Sequence, residues 1–236
     1  MNRVSRVALL VAFAALVAPL AVHAQNDALL TGRWTITDGR YGGSRYDGFV
    51  DITPGKLIYN LAWNAAGKTY KGFGVEQDRM LYCAWGNANF GFVLYTIVND
   101  STVNGVWANS GSPEDQGAEY LVGGSISAKA TEFRVAGTNP PSNGSSSGSG
   151  YSGTLKVSHD GDMYSFEWHV NQDVYYGVGI RCGKQIAVGW GSASDDFGAI
   201  CYTEAPDVLR GRWVAHSGAE IGAENLQRMK TGQPGR

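Results

Sequence analysis

Hydrophobic and polar residues alternate with a period of two along much of the chain. In Tyr164-Ser165-Phe166-Glu167-Trp168-His169-Val170 the aromatic residues share one face, while Ser165, Glu167 and His169 share the other. Tyr59-Asn60-Leu61-Ala62-Trp63 has the same phase, and so do the segments around Leu155-Val157 and Leu209-Gly211-Trp213. One buried face and one wet face predicts antiparallel strands of a sandwich or barrel. In the first half of the chain the pattern predicts eight strands, near residues 32–37, 46–53, 56–63, 68–76, 80–85, 91–98, 102–108 and 118–122. Short turns separate them, among them Thr53-Pro54-Gly55, Gln77-Asp78 and, in the second half, His159-Asp160-Gly161-Asp162. Tight turns imply that sequential strands are neighbours, hence an up-and-down meander. No segment after residue 25 has helical periodicity.

The pattern occurs twice. Tyr46-x-Gly48, Trp63, Tyr70-x-Gly72-x-Gly74 and Trp85-Gly86 return as Tyr151-x-Gly153, Trp168, Tyr175-x-Gly177-x-Gly179 and Trp190-Gly191, each 105 positions later. Gly105-x-Trp107 returns as Gly211-x-Trp213, and Gly117-Ala118-Glu119 as Gly222-Ala223-Glu224. The register slips only where turns fall, as a duplicated β unit requires. The expected fold is therefore all-β: two tandem antiparallel meanders of about eight strands. Each is read as a small closed barrel, since closure removes exposed edges. A flat or sandwich arrangement shared between the copies is the alternative. The Asn139–Gly150 run looks like a linker by composition, but it aligns with Gly39–Arg45 and so reads as a hairpin loop inside the second copy. The boundary falls near Gly123–Ser125, giving domains 25–124 and 125–227.

Residues 1–24 read as a signal peptide. Arg3 and Arg6 precede an apolar stretch from Val7 to Leu20, and Val22-x-Ala24 is a cleavage-type pattern. The expected product is periplasmic or secreted, without a transmembrane segment, and ends in a flexible tail over residues 228–236. Loss of the leader removes two Arg and no acid, moving the formal charge from −2 to −4. No basic stripe remains for nucleic acid. Of the three cysteines, Cys182 and Cys201 share a repeat and could pair; Cys83 matches Val188 and behaves as a small core residue. No spacing suggests a metal site or a cofactor.

The run Tyr175-Tyr176-Gly177-Val178-Gly179-Ile180 through Ala187-Val188-Gly189-Trp190-Gly191 and Arg210-Gly211-Arg212-Trp213 resembles a family of small exported bacterial proteins. Its members are commonly labelled "fibronectin-binding protein" or uncharacterised. The resemblance implies a surface protein contacting a host or matrix protein. Leu30-Thr31-Gly32-Arg33-Trp34 resembles the first strand of avidin and lipocalin barrels. The ligand-binding Asn of avidins falls at Ile36 here, so the resemblance extends to the barrel and not to biotin.

The chemistry-bearing residues are few. His159, His169 and His216 have no counterpart in the first copy and read as surface residues. Asp195-Asp196 and Glu114-Asp115 read as solvated acidic turns, and no catalytic triad motif occurs. Glu119 and Glu224 recur in step; with no second acid recurring beside them, a structural role is expected. Trp63, Tyr70, Trp85, Trp168, Tyr175 and Trp190 have two readings. They line a barrel mouth for an apolar or sugar ligand, or they fill the core, as large side chains in small barrels usually do. Their number on the inward phase favours the core. The resulting expectation is an exported non-catalytic binding or structural barrel. An adhesin, or a small isomerase or hydrolase acting on an apolar ligand, is the alternative. What recurs reads as scaffold, which places any site-specific function in the loops.

Overall fold

The computed structural model describes residues 27–141 and 148–229. The segment read as a signal peptide and residues 230–236 of the expected tail lie outside them. After one helical turn, α1 (Asp27–Leu30), the described residues form sixteen strands. The first repeat supplies β1 (Gly32–Tyr41), β2 (Ser44–Pro54), β3 (Tyr59–Ala65), β4 (Lys68–Gln77), β5 (Met80–Gly86), β6 (Gly91–Asn99), β7 (Thr102–Asn109) and β8 (Ser112–Val122). The second supplies β9 (Ala130–Thr138), β10 (Gly150–Asp160), β11 (Met163–Val170), β12 (Asp173–Cys182), β13 (Gln185–Gly191), β14 (Phe197–Ala205), β15 (Val208–Ala215) and β16 (Gly222–Arg228). All eight strands expected in the first repeat are present. Arg228 pairs with Trp34 in the sheet and is not part of a tail.

The strands close into two eight-stranded antiparallel barrels, but not one per repeat. The first barrel runs β1-β2-β3-β4-β5-β14-β15-β16 and back to β1; the second contains β6 to β13. Each repeat thus gives five strands to one barrel and three to the other. The exchange occurs at equivalent places: Cys83 of β5 pairs with Ile200 of β14, and Val188 of β13 pairs with Val93 of β6. The division expected near residue 124 separates β8 from β9, which are paired neighbours inside the second barrel. It marks the repeats and not the barrels. The Asn139–Gly150 run does join paired strands, β9 and β10, as its alignment requires.

The exchange explains where the alternating pattern breaks. Phe73, Val75, Tyr82 and Ala84 of the first barrel and Phe92, Leu94, Val178 and Ile180 of the second project outward, yet all are buried in one apolar cluster between the barrels. Strands covered on both faces have no wet side to encode. Around this cluster, the carboxylate of Glu114 on β8 accepts from the backbone N–H groups of Lys56 and Leu57 in the other barrel, each at 2.8 Å. Glu114 is therefore an inter-barrel clasp and not a solvated turn residue. Asp196 likewise accepts from Asn87 Nδ2 at 2.9 Å, joining the two crossover links, while Asp195 accepts from the N–H of Ser192. The disulfide Cys182–Cys201 connects β12 of one barrel to β14 of the other. Cys83 is free and buried.

Each barrel is closed at one end. In the first, Leu30 of α1 is buried, the Trp34 indole N–H donates to its carbonyl at 2.8 Å, and Arg228 lies over the Trp34 ring. In the second, Phe133 and Ile126 fill the equivalent place. The opposite ends are open.

Candidate functional site

The open end of each barrel holds a cavity, about 230 Å³ in the first and about 160 Å³ in the second. The linings correspond position by position. Tyr46, Trp63, Tyr70, Trp85, Trp213 and Glu224 surround the first cavity. Tyr151, Trp168, Tyr175, Trp190, Trp107 and Glu119 surround the second. All six aromatic residues expected at a barrel mouth are therefore there, three per barrel. Being core residues and lining a cavity are compatible here, because the cavity lies within the upper part of each interior.

The rings form an arc. Tyr70 meets Trp85 edge-on at 5.2 Å, Trp85 meets Trp213 at 6.4 Å, and Trp213 meets Tyr46 at 6.4 Å. The second barrel repeats it with Tyr175, Trp190, Trp107 and Tyr151, at 5.5, 6.2 and 6.3 Å. All six contacts are T-shaped, the arrangement that ring quadrupoles favour. Glycines on the neighbouring strands make room for the rings. A Cβ on Gly72 would meet the Trp63 ring at 2.6 Å, and one on Gly177 would meet Trp168 at the same distance. Gly91, Gly117, Gly198 and Gly222 hold the same position against Trp190, Trp107, Trp85 and Trp213. These recurring Gly and Trp residues shape a cavity, which corrects the reading of the repeat as scaffold alone.

The floor is polar. Glu224 is 3% exposed and Glu119 5%. Glu224 Oε1 accepts from Trp63 Nε1 at 3.1 Å and from the Tyr202 hydroxyl; its Oε2 accepts from the Tyr46 hydroxyl at 3.0 Å. Glu119 Oε1 accepts from Trp168 Nε1 at 3.0 Å and from the Tyr95 hydroxyl; its Oε2 accepts from Tyr151 at 3.0 Å. The three donors to each carboxylate correspond atom for atom; in the first barrel Trp63 Nε1 also lies 3.2 Å from the Tyr202 hydroxyl. Burial pushes each carboxyl above its usual range, and the three donors oppose that shift without cancelling it. Burial and the facing carboxylate push all four tyrosine hydroxyls upward, so they remain protonated donors. The indole N–H groups of Trp107 and Trp213 are buried near Tyr151 and Tyr46 but form no well-made hydrogen bond.

Tyr95, Tyr202, Tyr46, Tyr151, Trp107 and Trp213 were not among the expected site residues. The available signal was recurrence in step with the glutamates, since each has a partner in the other copy. The described histidines stay apart from both cavities. His159 stacks on Tyr164, His216 stacks on Phe197, and His169 contacts Glu167 on the outer wall. Among the described residues no group of His, Cys, Asp or Glu is placed to hold a metal ion.

Fold and cavities define a class: a pair of strand-exchanged up-and-down β-barrels, each with an aromatic-walled, carboxylate-floored cavity. No protein-family model, curated protein or solved structure matches the chain.

Proposed function

We propose that this is an exported binding protein that holds a small ligand in the mouth of each barrel without chemically changing it. The supporting observation is the duplicated cavity itself. A ring arc, glycines recessed to admit it and a hydrogen-bonded glutamate occur twice with the same partners. Concave sites with mostly apolar walls and a few convergent polar groups are the usual form of small-molecule pockets. The second volume, about 160 Å³, is near that of a cavity that accepts benzene, about 150 Å³, and the first, about 230 Å³, exceeds it.

Two features weigh against catalysis. A general base needs a free acceptor within reach of a substrate proton, and each glutamate already takes three donors. A tyrosine acid needs its proton aimed at the substrate, whereas the hydroxyls of Tyr46, Tyr95, Tyr151 and Tyr202 donate to glutamate. Binding of a matrix protein by strand addition requires an open sheet edge, and both sheets are closed. The leader-like start and the Cys182–Cys201 bond support an oxidising compartment outside the cytoplasm.

Filling each mouth separately tests the reading. Ala65→Trp obstructs the first cavity and Val170→Trp the second, since each residue lines the respective mouth. A panel of benzene-sized neutral and charged probes should perturb tryptophan fluorescence saturably, and each substitution should remove one component. If no probe gives a saturable change sensitive to either substitution, the reading fails.

A further inference from the structure

The two cavities share a floor but not a rim, and the difference has a sign. Where the first barrel has Ala66 the second has Asn171, and where the first barrel has Lys68 the second has Asp173. Asn139 also reaches the second cavity, at the position around which the first barrel stacks Tyr41 on Trp213 at 4.7 Å. The second cavity is thus lined by two carboxylates, Glu119 at the floor and Asp173 at the rim, with five Tyr and Trp rings between them. No Lys, Arg or His is among its described lining residues. Asp173 lies against Tyr175, close enough to act on its hydroxyl.

We infer that the second barrel takes a small organic cation, a methylated ammonium group enclosed by the aromatic arc and lying between Glu119 and Asp173. The inference rests on the binding reading above and names the ligand class for one of its two sites. Aromatic boxes attract such cations through the ring quadrupole, most strongly where water is excluded. A bulky methylated ammonium sheds water more readily than a primary ammonium and needs no directed acceptors. That suits a floor whose glutamate is already hydrogen-bonded by Tyr95, Tyr151 and Trp168. Such a cation uses only the carboxylate's charge, so Glu119 serves as its counter-charge while keeping all three donors. Asn139 and Asn171 offer amide groups to a polar tail leaving the mouth. The first cavity lacks both amides and the rim acid among its lining residues, so it serves as an internal reference.

The test is calorimetric titration of the full mature chain with choline, set against its uncharged isostere 3,3-dimethyl-1-butanol. Choline should bind saturably and about tenfold or more tighter than the isostere. Val170→Trp should abolish choline binding, whereas Ala65→Trp should leave it intact. Asp173→Asn, at an exposed rim position where folding is not at stake, should weaken choline severalfold and leave the isostere unchanged. Equal affinity for the two probes, or choline binding lost in Ala65→Trp and kept in Val170→Trp, would overturn the cation assignment while leaving two binding cavities. Absence of binding by these and by the wider probe panel would overturn the binding reading as well.

Discussion

At the residue scale, two of the three tryptophans lining the first cavity differ in one bond. Trp63 donates to Glu224, whereas the Trp213 indole N–H has no partner. Replacing Trp63 by Phe leaves a buried carboxylate short of a donor; replacing Trp213 by Phe removes only an unsatisfied group and some ring area. Trp63→Phe should therefore cost about 1–3 kcal/mol more than Trp213→Phe in urea unfolding. Equal losses would mean that the floor network contributes nothing specific. A second carboxyl gives a pH signature. Glu204, half-buried, with Oε1 unpaired and Glu76 nearby, has its pKa pushed up to about 7, first by burial and then by that neighbour. Its folded value lies above its unfolded value, so its contribution is fully present below the ordinary carboxylate range. That contribution is lost as pH rises through about 7. Glu204→Gln should match the parent at pH 4 and exceed it at pH 8, by no more than about 1 kcal/mol given its partial exposure. A constant difference across that range would refute the linkage.

At the element scale, the legible and the illegible parts of the fold separate cleanly. Strand positions follow from alternation because β1, β2, β3, β9, β10 and β11 each keep one wet face. The residues at 81–84 and 185–189 are buried without interruption, and contact of each strand with the other barrel accounts for it. Which ring meets which glycine depends on strand register. Gly91, for example, sits opposite Trp190, which lies 99 positions further along the chain. A methyl on Gly91 would overlap the Trp190 indole. Gly91→Ala should destabilise the protein by about 1–3 kcal/mol, as overpacking does. It should also change the near-ultraviolet tryptophan dichroism, which a substitution at an unpacked glycine such as Gly161 should not do. The disulfide is likewise an element-scale feature, because it ties β12 to β14 across the barrel interface. Removing it by Cys182→Ser with Cys201→Ser should lower stability by about 2–4 kcal/mol. The inter-barrel apolar cluster remains in place, so the double variant should stay folded at low denaturant.

At the scale of the whole molecule, the repeat and the barrel are different units, and the sequence displays only the first. β6 and β14 present the same pattern to β5 and β13, so pairing within a repeat and pairing between repeats satisfy the same hydrophobic periodicity. The links 87–90 and 192–196 are short enough for hairpins, and the rule that sequential strands are neighbours pointed to hairpins. What favours exchange is burial. Crossing over places the outer faces of β4, β5 and β14 against those of β6, β12 and β13, covering apolar side chains that two separate barrels would expose. The consequence is testable with fragments. Residues 27–124 carry five strands of one barrel and three of the other, as do residues 125–229 in the reciprocal sense. Neither half can build its barrels without a complement, so each alone should be a dimer or an aggregate. The two halves expressed together should co-purify in a 1:1 complex with the dichroism of the intact chain. Two independently stable monomeric halves with no mutual affinity would show that the exchange is not intrinsic to the sequence. In the intact chain the exchange also gives each cavity walls from both repeats: Trp63 and Trp85 line the first together with Trp213, and Trp168 and Trp190 line the second together with Trp107. A ligand bound in either mouth therefore holds both repeats together, and a saturating ligand should raise the unfolding temperature of the mixed halves as it does that of the whole chain.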